Sequence, residues 1–211
     1  MSIAAADVPA ALLAAEAHLL AAGGPLAGVV RQVGRCTLSP DPDVFAALVR
    51  AVIAQLISTA AARSITTRLE DALAGKITPR RLLGLTDDEL RACGIARGKA
   101  KALRGLAEAF RPPAFATRLA AADDATARAM LLPLHGVGPW TVDMVAMFAV
   151  PWRPDVLPVG DLGIRAGVRD LYQLPDLPTA AELTAVAEPW RPFRTVASWY
   201  IWKSRGWVPR S

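Results

Sequence analysis

Two short stretches, close in sequence, carry residue types that chemistry can use. In LLPLHGVGPWTVDMVAMFAV, Gly136-Val137-Gly138 separates a short helical pattern from a longer apolar one that opens near Pro139. Glycines allow left-handed backbone angles and close approach, so successive N–H groups at a helix start can cradle an anion such as a DNA phosphate. The same Gly-x-Gly also ends helices that bind nothing. In DVLPVGDLGIRAGVRDLY, Asp161 follows a loop containing Pro and Gly and opens a helix. A carboxylate there is either a plain N-cap or an anion placed to stabilise developing positive charge.

The elements that must position these groups read as helices almost throughout. Leu, Ala and Val recur at intervals of three and four, and no alternating run is bounded by hairpin turns. The expected fold is therefore all-α. The spacing predicts a helix from Asp7 to the Gly23-Gly24 pair and a second short one after Pro25. A central core helix is expected to start at Asp41-Pro42, with an apolar face of Phe45, Leu48, Val49, Val52, Ile53, Leu56 and Ile57. Gln55 and Ser58 interrupt that apolar surroundings, which suits either a cleft lining or an exposed polar edge. Thr86 and Glu89 form a capping box for a helix stopping near Gly94, and the glycine-bearing stretch from Gly94 to Lys101 feeds a basic helix that runs toward Phe110, ended by Pro112-Pro113. Asp123 or Asp124 caps another helix through Leu132.

Taken together, LHGVGPWTVDMVAM and LPVGDLGIRAG resemble the helix-hairpin-helix, Gly/Pro-rich loop and aspartate of the DNA glycosylase superfamily. FAALVRAVIAQLISTAAARSITTRL, CGIARGKAKALRGLA and EPWRPFRTVASWYIWKSRGW resemble segments of its 3-methyladenine DNA glycosylase II branch, so the likeness runs over residues 25–207. The resemblance implies a two-lobed helical domain spanning 1–211, with a hairpin-bearing lobe at about 41–160, the terminal segments forming the other lobe, and a cleft between them. It implies hydrolytic release of alkylated bases such as 3-methyladenine and 7-methylguanine from double-stranded DNA by base flipping. By position, Asp161 takes the catalytic role, and Gly136, Val137 and Gly138 hold backbone phosphate. Leu56 becomes the wedge, with Gln55 and Ser58 beside it, and Trp202 and Trp140 line the base pocket. Core packing is the competing reading for either tryptophan. Met144 stands where some relatives present a tyrosine to the base.

Absences bear on the expected reaction. Branches that also cut the strand carry a hairpin lysine that forms a Schiff base, and that position is Trp140 here. No cysteine follows Cys93, so the four-cysteine iron–sulfur motif of many such branches is missing. A monofunctional enzyme without cofactor or metal is expected, acting as a monomer. With a short run before Asp41, the N-terminal β domain of some relatives is not expected. The alternatives are a glycosylase of the same scaffold for uracil, mismatched or oxidised bases, and a non-catalytic DNA-binding module.

Bulk properties agree with this frame. The 211 residues are 53% hydrophobic and 20% charged, as in a globular domain, and the net charge of +5 favours an anionic partner. Two cysteines, Cys36 and Cys93, make neither a disulfide framework nor a closed metal site, so a reducing cytoplasm is expected. Glu16 and His18 interrupt the first apolar stretch, which reads poorly as a signal peptide, and no membrane association is expected.

Overall fold

The computed structural model describes residues 3–149 and 151–206, and Trp207, at the end of the resemblance, lies outside them. Among these residues the chain forms thirteen α-helices and no strand, with isolated bridge residues that include the antiparallel pair Ile3 and Trp152. The helices are α1 Val8–Ala22, α2 Gly24–Val33, α3 Val44–Ala54, α4 Thr59–Ala72, α5 Pro79–Gly84, α6 Asp87–Ala92, α7 Arg97–Phe110, α8 Pro113–Ala121, α9 Asp124–Leu131, α10 Pro139–Phe148, α11 Leu162–Tyr172, α12 Ala180–Val186 and α13 Arg194–Ser204. They divide into two compact units: residues 41–145, and residues 1–40 with 146–211.

In the 41–145 unit, α7 packs against α3, α5, α6 and α8, and α3 also packs on α4. The apolar face of α3 (Phe45, Leu48, Val49, Val52 and Ile53) is buried, with Leu103, Leu106 and Phe110 buried on α7. Each such side chain removed from water contributes roughly 1.5–3 kcal/mol. The capping chemistry explains most boundaries: Thr86 and Glu89 bond reciprocally at α6, and Asp123 accepts from the Thr126 amide at α9. The start of α3 differs from expectation. Asp43, not Asp41, is its N-cap, because the Asp43 carboxylate accepts from the Ala46 amide. Asp41 instead accepts from the Asp43 amide and pairs with Arg50, which also reaches Glu70 at 2.8 Å.

The other unit is built around α13. Eight consecutive residues, Thr195 to Trp202, are buried, so this helix is enclosed on all sides. It packs against α1, α2 and α11, and α2 also meets α11. Close approach of α11 requires glycine: a Cβ on Gly167 would lie 2.3 Å from Ile201 Cγ2. The run Ala5–Ala22 is long and apolar enough to cross a membrane by length and composition. Its Val8, Leu12, Ala15 and Leu19 are buried at helical spacing, while most of its other residues keep accessible surface. Cys36 and Cys93 are buried free thiols, and burial pushes Cys36 up to about 12.

The sequence reading extends the hairpin-bearing lobe to about 160, but residues 146–160 belong to the unit of the termini. Backbone and side-chain bonds hold them there. Trp152 exchanges two backbone hydrogen bonds with Ile3, the Thr195 hydroxyl donates to the Arg153 carbonyl at 2.6 Å, and Asp155 accepts from Arg191 and Arg194.

Candidate functional site

The glycine turn begins after α9. Gly136 has φ +80°, and a Cβ there would lie 2.5 Å from the Ala102 Cβ on α7, so the turn needs glycine for conformation and for contact. Val137 is buried, and its amide donates to the Leu134 carbonyl at 3.0 Å. Gly138 immediately precedes α10, and its carbonyl accepts from the Val142 amide at 3.1 Å. A Cβ on Gly138 would meet nothing within 4 Å. Ten residues long, α10 carries Trp140 half-buried in its first turn, Thr141 and Met144 buried, and buried Asp143 paired with Arg128. Burial raises the Asp143 carboxyl above its ordinary value, with the Arg128 charge pulling the other way.

The segment after α3 departs most from expectation. The predicted apolar face ran through Leu56 and Ile57, but the helix stops at Ala54. Gln55 has φ −54° and ψ 128°, Leu56 has φ +57°, and the Ile57 amide reaches back to the Ala54 carbonyl at 3.5 Å. This is the geometry of a type II turn, whose third position ordinarily takes Gly or Asn. A leucine in the left-handed region costs about 1–2 kcal/mol. Leu56 is also fully exposed, at 105% relative accessibility, and Ile57 is at 37%. An apolar side chain both strained and unburied gains nothing for the fold.

Gln55 is half-buried where α3 ends. Its Nε2 donates to the Gly136 carbonyl at 2.9 Å and to the Thr141 hydroxyl at 2.7 Å, tying the Leu56 turn to the glycine turn. Ser58 is exposed and caps α4, accepting from the Ala61 amide at 3.3 Å. Two participants escaped the sequence reading. Lys99, on α7, donates to the carbonyls of Ile53 at 2.6 Å and Gln55 at 2.8 Å, and Thr141 receives the Gln55 amide. The signal for Lys99 was present: position 99 lies in helical register with Leu103, Leu106 and Phe110, so a lysine interrupts an apolar stripe.

In the other unit, Asp161 is the N-cap of α11. Its Oδ1 accepts from the Ile164 amide at 2.8 Å and from the Trp202 indole N–H at 3.1 Å. Only 8% of Asp161 is exposed. The loop before it is fixed by the Asp161 amide donating to the Pro158 carbonyl at 2.9 Å. Gly163 makes the meeting of α11 and α13 possible, because a Cβ there would lie 3.0 Å from Asp161 Oδ1 and 3.1 Å from Trp202 Nε1. Trp202 is 1% exposed, with its ring centroid 5.8 Å from that of Phe148. It is therefore packed and directed at the carboxylate, whereas Trp140 keeps accessible surface. The structure thus brings together Asp161 with Trp202, and separately Gln55 with the Gly136 turn. Met144 is buried in α10.

Among the described residues no group of three or more His, Cys, Asp or Glu is arranged to hold a metal ion. The arrangement offers a buried, oriented carboxylate at a helix N-terminus, a glycine turn at another helix start, and an apolar side chain projecting from a braced turn.

Comparison with known proteins accounts for this combination. Residues 49–192 match the HhH-GPD superfamily base excision DNA repair protein family. The chain is 32% identical over 207 residues to DNA-3-methyladenine glycosylase 1 of Schizosaccharomyces pombe, covering 94% of this chain and 90% of that protein. It is 29% identical over 178 residues to DNA-3-methyladenine glycosylase 2 of Escherichia coli, covering 79% of this chain and 60% of that one. The solved structure of the S. pombe 3-methyladenine DNA glycosylase in complex with abasic DNA superposes with a TM-score of 0.83 at 31% identity, covering 92% of this chain and 97% of that one. An all-helical fold with a glycine turn before α10 and an aspartate capping α11, matched by that family over most of its length, makes this chain a member of the HhH-GPD superfamily of base excision DNA repair proteins.

Proposed function

We propose that this protein is a monofunctional DNA glycosylase that flips alkylated bases, such as 3-methyladenine and 7-methylguanine, out of double-stranded DNA and hydrolyses their N-glycosidic bonds. The observation that carries the reading is Asp161: a carboxylate almost removed from solvent and fixed by two N–H donors on one oxygen. A group so placed suits a reaction in which positive charge builds on the sugar as the base departs. An alkylated purine already carries positive charge and leaves readily, so one carboxylate suffices and water completes the reaction. Asp161 stabilises the sugar cation or orients that water. The relatives' names, which specify 3-methyladenine, favour alkylated bases over uracil or oxidised purines as substrates.

The remaining roles follow from the chemistry of base flipping, in which an extruded nucleotide leaves a gap that must be braced. Leu56 fills it, and the turn at Gly136 and Gly138 holds a phosphate at the start of α10, while the expected part of Val137 falls away because its amide is taken by the Leu134 carbonyl. Trp140 offers a ring to the electron-poor base, an attraction of about 0.5–2 kcal/mol. Trp202 acts on Asp161, holding the carboxylate through its indole N–H. The protein works as a monomer, in the cytoplasm, and needs no cofactor.

Two assays test this. A panel of duplexes, each with one modified base, should release alkylated purines in preference to uracil or 8-oxoguanine, and release confined to the latter two would overturn the substrate assignment. The product should be an intact abasic strand that breaks only after alkali. Trp140 occupies the Schiff-base position, and the chain's lysines are Lys76, Lys99, Lys101 and Lys203. Borohydride should therefore trap no enzyme–DNA adduct while base release runs to completion. A strong adduct lost in Lys203→Ala, with nicking in step with release, would overturn the monofunctional assignment alone.

A further inference from the structure

A left-handed leucine persists only where its surroundings over-determine it, because the conformation is unfavourable and the exposed side chain makes no packing to compensate. The turn at residues 54–57 has such surroundings. Lys99 Nζ bonds the carbonyls of Ile53 and Gln55, which flank Ala54 where α3 gives way to the turn. Three N–H donors and a positive charge suit lysine to a helix C-terminus, where carbonyls are left without amide partners. The Gln55 side chain anchors the same turn independently, on the Gly136 carbonyl and Thr141. Ala102, one helical turn beyond Lys99 on α7, faces Gly136 itself.

Lys99 does not serve the core. An apolar residue at its position would extend the Leu103–Leu106–Phe110 stripe. The partly buried ammonium instead bears a desolvation cost that lowers its pKa from the ordinary lysine value. Its bonds to the two carbonyls offset that cost and fix the backbone on the N-terminal side of Leu56.

We propose that Lys99 is a positioning residue for base extrusion: its ammonium clamps the turn that carries Leu56 and, with Gln55, joins wedge and glycine turn into one rigid piece. Grip on the DNA backbone at Gly136–Gly138 then sets where Leu56 enters the duplex. The inference rests on the glycosylase reading, and it adds a residue that touches neither base nor sugar.

The test is the ratio of base-release rates on two duplexes, one with the alkylated base paired and one with it already unpaired, measured on the same preparation. Any loss of folded enzyme cancels in this ratio. Lys99→Met should lower the paired rate about tenfold relative to the unpaired rate, the scale of a lost charge-assisted hydrogen bond. Thr141→Val, which removes one of the two acceptors for Gln55, should shift the ratio in the same direction, and Thr141→Ser should restore it. The exposed neighbour Lys101→Met should leave the ratio unchanged. An unchanged ratio in Lys99→Met, or an equal shift in Lys101→Met, overturns the proposal. A second readout separates it from the functional reading: emission of a 2-aminopurine placed beside the lesion reports unstacking without any catalysis. If wild type releases no base but Lys99→Met still lowers that emission on binding, the glycosylase reading fails and the clamp stands. If wild type releases base and neither ratio nor emission responds to Lys99→Met, the clamp fails and the reading stands.

Discussion

On the function proposed above, Leu56 and Asp161 represent opposite solutions to placing a side chain for work on a partner molecule. Leu56 stands wholly outside the protein on a backbone angle that leucine disfavours, and bonds from Lys99 and Gln55 hold its turn. Asp161 is nearly buried, in an ordinary extended N-cap conformation, with Oδ1 receiving two donors. A steric tool must protrude, so its order has to come from the backbone beneath it. An electrostatic tool gains from exclusion of water, which strengthens each charge interaction, so its order comes from enclosure. The first arrangement sacrifices stability locally, while the second uses hydrogen bonds that also terminate a helix.

The largest expected effect falls on the enclosed side of this comparison. Asp161→Asn should reduce base release about a hundredfold or more through loss of one transition-state charge partner, with DNA affinity unchanged or higher. Single-turnover kinetics beside a binding titration would measure both. Retention of more than about a tenth of the wild-type rate, roughly 1.4 kcal/mol of barrier, would sink the catalytic role.

The two turn glycines sharpen the distinction between fold and grip. Gly136→Ala places a Cβ against Ala102 at positive φ, and thermal melts should register a loss of about 1–3 kcal/mol. Gly138→Asp meets no neighbouring atom, so its melting temperature should stay near wild type while affinity falls for damaged and undamaged duplexes alike. Weakening confined to damaged DNA would contradict a phosphate contact at this turn.

The smallest effect concerns Leu56 itself. Leu56→Gly relieves the left-handed strain and should stabilise the protein by about 1 kcal/mol, or roughly 2–4 °C in Tm. Release from paired substrate should nevertheless fall. A lower Tm in this variant would mean that the turn is not strained and would erase the contrast with Asp161.

Much of the fold is legible in the residues because helix termini are local chemistry. The capping box at Thr86 and Glu89, the cap at Asp123 and the stop at Pro112-Pro113 each depend on atoms within one helical turn, and each appears where its residues predict. Asp161 was legible as the opening residue of a helix. Its bond to Trp202 was not, since it depends on Gly163 letting α11 approach a helix far along the chain.

The region after Ala54 shows where local reasoning ends. The apolar spacing through Leu56 and Ile57 is a sound helical pattern, and taken alone it buries both. Periodicity describes what a helix would present if it continued, and the bonds that hold the chain in a turn come from Lys99, Gly136 and Thr141, remote in sequence. The sequence by itself determined the helical class, most helix ends and the family, because these rest on short-range capping and on motifs whose residues are neighbours. Only the tertiary structure decided that Leu56 is exposed, that Gln55 and Lys99 brace it, and that Trp202 serves Asp161, because each of these depends on a contact between elements whose separation no local pattern encodes.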